Sequence, residues 1–139
     1  METVNYLAII VAAVASMAVG FVWYGVLFRK AWMQEMGMTG DMSGMKMSAS
    51  MAYLIQFVAS IVMACVLSYI MWLILASSPG YTPLKAGLCA SLTLWLGFVV
   101  PVSLGVVLWE NKSWKLWFIN ASHYLVGLLV MGAVLSFWM

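Results

Sequence analysis

Four long apolar stretches separated by short polar connections leave this chain few ways to fold. They run from about 4 to 28, 50 to 76, 84 to 109 and 116 to 138. A helix needs roughly 20 apolar residues to cross the ~30 Å hydrocarbon core of a bilayer, and each stretch meets that length. Hydrophobic side chains make up 66% of the chain, charged ones only 7%, and the mean hydropathy is +1.07. Soluble domains carry roughly 25% charged residues, so lipid rather than water must solvate most of this surface. The expectation is an all-α transmembrane four-helix bundle that occupies 1–139 as a single domain, with no soluble domain beside it. The first stretch has no Lys or Arg before it and runs well past a signal-peptide h-region of about 7 to 15 residues, so it is read as a retained span.

The charged residues lie between the spans. Arg29, Lys30, Glu35, Asp41 and Lys46 sit in the first connection, Lys85 at the second, and Glu110, Lys112 and Lys115 in the third; Glu2 precedes the first span. Five of the six basic residues therefore share one face of the membrane. The positive-inside rule places the first and third connections in the cytoplasm and both termini outside. The net charge of +2 is this bias and gives no reason to expect a nucleic-acid partner. Cys65 and Cys89 fall inside spans, without a CxxC spacing, and read as small packing residues rather than a disulfide or zinc site.

The chain also resembles itself. "VMACVLSYIM", Val62 to Met71, and "VMGAVLSFWM", Val130 to Met139, agree at six of ten positions. "GFVW" at Gly20 to Trp23 is echoed more weakly by "GFVV" at Gly97 to Val100. Two tandem helical hairpins related by an axis along the membrane normal would produce this pattern, with the 32–51 loop inserted into the first hairpin alone. Small or polar residues at four-residue spacing mark the expected inward faces, because helices in lipid associate through close backbone approach. These stripes are Ala12, Ser16, Gly20 and Tyr24; Gln56, Ser60, Ala64 and Ser68; Gly97, Pro101 and Gly105; and Asn120, His123, Gly127 and Met131. Pro101 lacks an amide donor and is expected to kink the third span, freeing a carbonyl near Gly97.

The polar side chains gather in one half of the bilayer. Trp23 and Tyr24 lie near the cytoplasmic end of span one and Gln56 in the cytoplasmic third of span two. Asn120 and His123 occupy the first turns of span four, with Glu110 at the membrane edge. Polar groups in hydrocarbon are costly and mark binding sites or pathways, and Asn120 and His123, three apart, share a helix face. The competing reading is interhelical hydrogen bonding worth roughly 0.6 kcal/mol per pair. Catalysis is not expected, since no carboxylate pair and no nucleophile with an adjacent base is present. Haem ligation by His123 needs only one histidine, but nothing else in the sequence calls for it. The sequons at Asn111 and Asn120 are read as chance, one cytoplasmic and one buried.

Between Trp32 and Met51 lies a methionine-rich loop with an MxxMxM spacing used twice, Met33, Met36, Met38 and Met42, Met45, Met47. Thioethers are soft neutral donors suited to Cu(I) or Ag(I), so these six form a candidate metal site. In a cytoplasmic loop, thiols would compete for the ion. The alternative is an interfacial loop, with Trp32, Met33 and Met36 forming the apolar face of a short surface helix ended by Gly37.

"NYLAIIVAAVASMAVGFVWYG" with "LFRKAWMQEMGMT", then "WLGFVVP", then "WENKSWKLWFINASHYLVGLLVMGAVLSFW" resemble a bacterial family of small four-span membrane proteins catalogued only as a domain of unknown function. The matching elements are Trp23-Tyr24-Gly25, Leu27-Phe28, Trp32, Met36-Gly37, Trp95 to Phe98, Pro101, Glu110 and Ile119-Asn120. The resemblance implies a bacterial inner-membrane protein and supplies no activity or cofactor. Three functional expectations stand. The first is a bundle that binds or passes a small ligand or ion through a polar cavity lined by Trp23, Tyr24, Gln56, Asn120, His123 and Glu110. The second is an accessory subunit of a membrane complex, and the third is Cu(I) or Ag(I) handling by the methionine loop. The expected partners are the lipid bilayer and either further copies of the chain or a larger membrane complex.

Overall fold

A computed structural model describes residues 5–37 and 46–139, and these fold into helices with no strand among them. Four helical segments are long and apolar enough to cross a membrane: Tyr6–Leu27, Ala49–Ser77, Pro83–Leu108 and Trp114–Ser136. This architecture is compatible with a multi-pass membrane protein. Span 1 is α1 (Tyr6–Val22) continued by a π-turn, Trp23–Leu27. A short helix, α2 (Arg29–Met36), follows and closes at Gly37, whose φ of 69° is the left-handed conformation that glycine adopts without strain. Span 2 is α3 (Ala49–Ser77). Span 3 is broken into α4 (Pro83–Leu94), a second π-turn at Trp95–Val99, α5 (Val100–Ser103) and α6 (Gly105–Leu108). Span 4 is α7 (Trp114–Ser136).

Each span opens on a side-chain cap. Asn5 Oδ1 accepts from the Ala8 amide (3.1 Å), Ser48 Oγ from Met51 (3.3 Å), Thr82 Oγ1 from Lys85 (3.2 Å) and Ser113 Oγ from Leu116 (3.1 Å). A helix start leaves amide donors without intrahelical partners, and each such cap is worth roughly 1 kcal/mol. Pro83 at the first turn of α4 uses a position where no amide donor is needed.

The spans form a closed ring, with span 1 packed on span 4 as well as on span 2. α1 lies against α3 and α7, α4 lies against α3 and α7, and the two diagonals barely meet. Ala8, Ile9 and Ala12 of α1, Ala64, Leu67 and Met71 of α3, Ala90 of α4, and Met131 and Leu135 of α7 make one buried cluster. In an up-and-down bundle these residues share one end, the end away from the first and third connections. There α4 and α7 come into backbone contact. A Cβ on Gly87 would lie 2.6 Å from the Gly132 carbonyl oxygen, and one on Gly132 would lie 2.7 Å from that of Gly87. Ser91 Oγ donates to the Leu128 carbonyl across the same crossing (2.7 Å). Small residues thus supply the association that lipid does not drive. Of the positions matched between the two similar segments, Ala64 and Gly132, and Leu67 and Leu135, are buried in both, whereas Met71 is buried and Met139 exposed.

The third span departs from the expected inward face. Ala86, Gly87, Ala90 and Ser91 are buried, but Gly97 and Pro101 are exposed and Gly105 is half-buried. The reason is the π-turn, in which the Val100 amide donates to the Trp95 carbonyl, five residues back. One extra residue in the turn rotates everything after it by about 100°, so Val99, Val100 and Ser103 face inward instead. Pro101, without an amide hydrogen, cannot rebuild the regular ladder immediately after the turn.

Candidate functional site

The opposite end of the bundle is built on aromatic side chains and backbone carbonyls. The π-turn at Trp23–Leu27, closed by the Phe28 amide donating to the Trp23 carbonyl (2.8 Å), brings Trp23 and Tyr24 together against α7. Trp23 Nε1–H donates to the Ile119 carbonyl oxygen (3.0 Å), and the Tyr24 hydroxyl donates to Asn120 Oδ1 (2.7 Å). In a regular helix the Ile119 carbonyl also accepts from the His123 amide four residues on, so Trp23 grips the turn that carries His123.

His123 is the centre of the arrangement. Its ring lies 4.9 Å from that of Tyr24, 5.2 Å from Tyr124 and 6.4 Å from Trp23, centroid to centroid. It seats over Gly20, where an added Cβ would come within 3.2 Å of Nε2. Both ring nitrogens are buried, and among the described residues neither has a hydrogen-bond partner. Buried polar atoms in folded proteins are nearly always satisfied, because an unmet donor or acceptor costs on the order of 1–3 kcal/mol.

Above this group lies α2. Trp32 sets its ring 5.4 Å from that of Tyr24, and Glu35 accepts a hydrogen bond from the hydroxyl of Ser113, the residue that caps α7. Thus α2 is tied to the start of span 4 and covers Tyr24. On the far flank of α7, Trp95, at the start of the second π-turn, donates from Nε1 to the Ala121 carbonyl (2.8 Å), and Trp117 Nε1 donates to Ser103 Oγ (3.0 Å).

Of the residues singled out from sequence, the fold brings together Trp23, Tyr24, Asn120 and His123. Gln56 is exposed on α3, and Glu110 is exposed in the turn between α6 and α7. Met33 is half-buried on α2, Met36 is exposed at its end and Met47 is exposed before α3; Met38, Met42 and Met45 lie outside the described residues. Sequence reasoning missed Gly20 as the seat of the imidazole, Trp32 as a cover, the Glu35–Ser113 bond and Trp95 as a second clamp. The repeated Trp-x-Gly, "WYG" and "WLG", was the available signal for the last, since each opens a π-turn whose indole reaches α7.

A model of the family described as "Protein of unknown function (DUF1761)" matches residues 7–136. The chain belongs to the DUF1761 family. That match runs from the first turn of α1 to the last residue of α7, so Trp23, Tyr24, Asn120 and His123 all lie within it. No curated protein and no solved structure matches the chain.

Proposed function

We propose that this protein is a non-enzymatic integral membrane protein of a bacterial inner membrane that binds a small ligand in the seam between span 1 and span 4. The seam lies at the end of the bundle that carries the basic connections, and that charge distribution supports a cytoplasmic side for it. The observation that carries the reading is the pair of buried, unpartnered ring nitrogens on His123, beside the Tyr24–Asn120 hydrogen bond. Intramembrane ionisable residues are functional by default, and one without a partner is the stronger case. Binding is favoured over passage because Trp23, Tyr24, Asn120 and His123 come from one helix pair, whereas a central pathway needs groups from spans 2 and 3 as well. The test is thermal unfolding of purified protein, in the presence and absence of a panel of small polar, ionic and aromatic compounds, beside His123→Leu. Stabilisation of the parent that disappears in the variant supports the reading. Equal responses throughout the panel defeat it.

A second reading, an accessory subunit or homo-oligomer, draws on Gln56. Its side chain is exposed about two turns inside α3, on a helix apolar enough to cross a membrane. A primary amide there is complementary to another amide, on a second copy or on a partner helix. Loss of a stoichiometric partner or of the oligomer on Gln56→Leu, under mild detergent, would establish that role.

A further inference from the structure

The site's own chemistry narrows the ligand, and the narrowing rests on the binding reading above. We infer that the ligand is an uncharged planar aromatic molecule bearing a hydroxyl or carbonyl oxygen, a quinone- or quinol-type head group, that enters the span 1–span 4 seam from the lipid.

Charge is the first discriminator. Among the described residues, no charged side chain hydrogen-bonds to His123, Tyr24 or Asn120; Glu35 is engaged with Ser113, and Arg29, Lys30, Lys112 and Lys115 are exposed. A bare ion held against these neutral groups would lose its hydration without a compensating charge, which is prohibitive in a low-dielectric interior. The set suits a neutral guest.

Hydrogen-bond valence is the second. A neutral imidazole offers one N–H and one bare nitrogen, and Asn120, accepting at Oδ1 from Tyr24, still has its amide hydrogens as donors. A carbonyl oxygen takes a bond from the imidazole or amide N–H, and a phenolic hydroxyl gives one to the bare nitrogen. Both oxidation states of a quinone are therefore served by the same pair of residues.

Shape and access are the third. Around the imidazole stand Trp23, Tyr24, Tyr124 and, one ring further out, Phe28 and Trp32, with Trp23 and Phe28 at 4.8 Å and planes tilted 40–60° among the neighbouring pairs. Such faces stack on a flat ring in offset or edge geometry. The seam is flanked on its outside by Phe21, Val26 and Tyr124, exposed by 66%, 67% and 41%, so it borders lipid rather than the bundle axis. Beside Tyr24, Gly25 is exposed and a Cβ there would meet nothing within 4 Å, so this edge of the seam presents no side chain to the surroundings. Uncharged aromatics partition into this phase and reach the mouth without crossing a polar surface.

The experiment uses the full chain in phosphatidylcholine–phosphatidylglycerol nanodiscs, titrated calorimetrically with decylubiquinone and, in parallel, decylubiquinol, tetramethylammonium chloride and sodium chloride. The parent is expected to show saturable binding of the two quinone-class probes. His123→Leu and Asn120→Leu weaken it by about tenfold or more, and Tyr69→Leu, exposed on span 2, leaves it unchanged. His123→Gln, which keeps both a donor and an acceptor, retains part of the affinity, so a folding defect in the leucine variant does not mimic the result. Quinone binding that is equal in the parent and both leucine variants overturns the inference. His123-dependent binding of the ammonium or sodium ion overturns the ligand class and leaves the site standing. No His123-dependent binding of any probe overturns both.

Discussion

The two ends of this bundle solve the same problem with opposite means. At the end holding Ala12, Ala64, Ala90 and Gly132, helices touch through small side chains, and backbone meets backbone at Gly87 and Gly132. At the other end aromatic side chains lie between the spans, and Trp23 and Trp95 bond to carbonyls of α7. The buried hydroxyl at the first end, that of Ser91, is bonded to the Leu128 carbonyl (2.7 Å). The second contains His123, with two buried nitrogens that bond to no described residue.

That contrast is broken most directly at Gly132. Gly132→Ala places a methyl group 2.7 Å from a backbone oxygen and 2.8 Å from Ser91 Oγ, and the backbone cannot swing aside as a flexible side chain would. The expected cost is roughly 2–3 kcal/mol of stability. It is read as a lower midpoint of thermal unfolding in detergent, together with loss of a monodisperse species. An unchanged midpoint would mean that α4 and α7 do not cross this closely.

The sign reverses at His123. Replacing an unsatisfied buried polar group with an apolar one of similar size relieves a desolvation penalty, so His123→Leu is expected to raise stability by about 1 kcal/mol while abolishing ligand-dependent stabilisation. Unfolding of the ligand-free protein, followed by circular dichroism, checks this. Marked destabilisation would make the imidazole a packing element and reduce the second end to a looser copy of the first. Next in size is Ser113, which both caps α7 and bonds to Glu35. Ser113→Ala is expected to cost about 1 kcal/mol, as Ser48→Ala does at α3, because each loses a cap. Only the former also frees α2, which hydrogen–deuterium exchange of residues 29–37 detects as faster exchange. Equal exchange in the two variants would show that α2 is held by Trp32 alone.

The first end was more legible in the sequence than the second. Hydropathy located four spans, and the Ala12–Ser16–Gly20 part of the first stripe followed the packed face of span 1, where the helix is regular from Tyr6 to Val22. The same four-residue rule failed at Gly97 and Pro101, and its physical premise had lapsed: a π-turn advances the face by one residue, and no hydropathy pattern reports one. Gln56 misled for a related reason, since Ser60 and Ala64 on its stripe are buried, yet four residues on a 3.6-residue turn drift by about 40° per step, enough to carry the end of a stripe off the interface. At the second end residue types were informative and partners were not. Tyr24 and Asn120, 96 positions apart, were both marked as polar and inward, but their bond depends on the π-turn that aims Tyr24. Trp32, placed on a surface helix, became a cover for Tyr24 through the Glu35–Ser113 bond, which no local pattern announces.

The smallest expected effect separates two residues that look equivalent. Trp23 and Trp95 each open a π-turn, each precede a glycine by two positions and each donate to α7, at Ile119 and Ala121. Loss of one interhelical hydrogen bond in a membrane protein costs roughly 0.6 kcal/mol, and Trp23→Phe and Trp95→Phe should each lower the unfolding midpoint by that small and similar amount. They differ in what the bond holds. Trp23 fixes the turn bearing His123 and stands 6.4 Å from its ring, whereas Trp95 lies on the opposite flank of α7. Ligand-dependent stabilisation should therefore weaken several-fold in Trp23→Phe and persist in Trp95→Phe. Equal losses would make both indoles general clamps on span 4, with the site extending around α7 rather than lying in one seam.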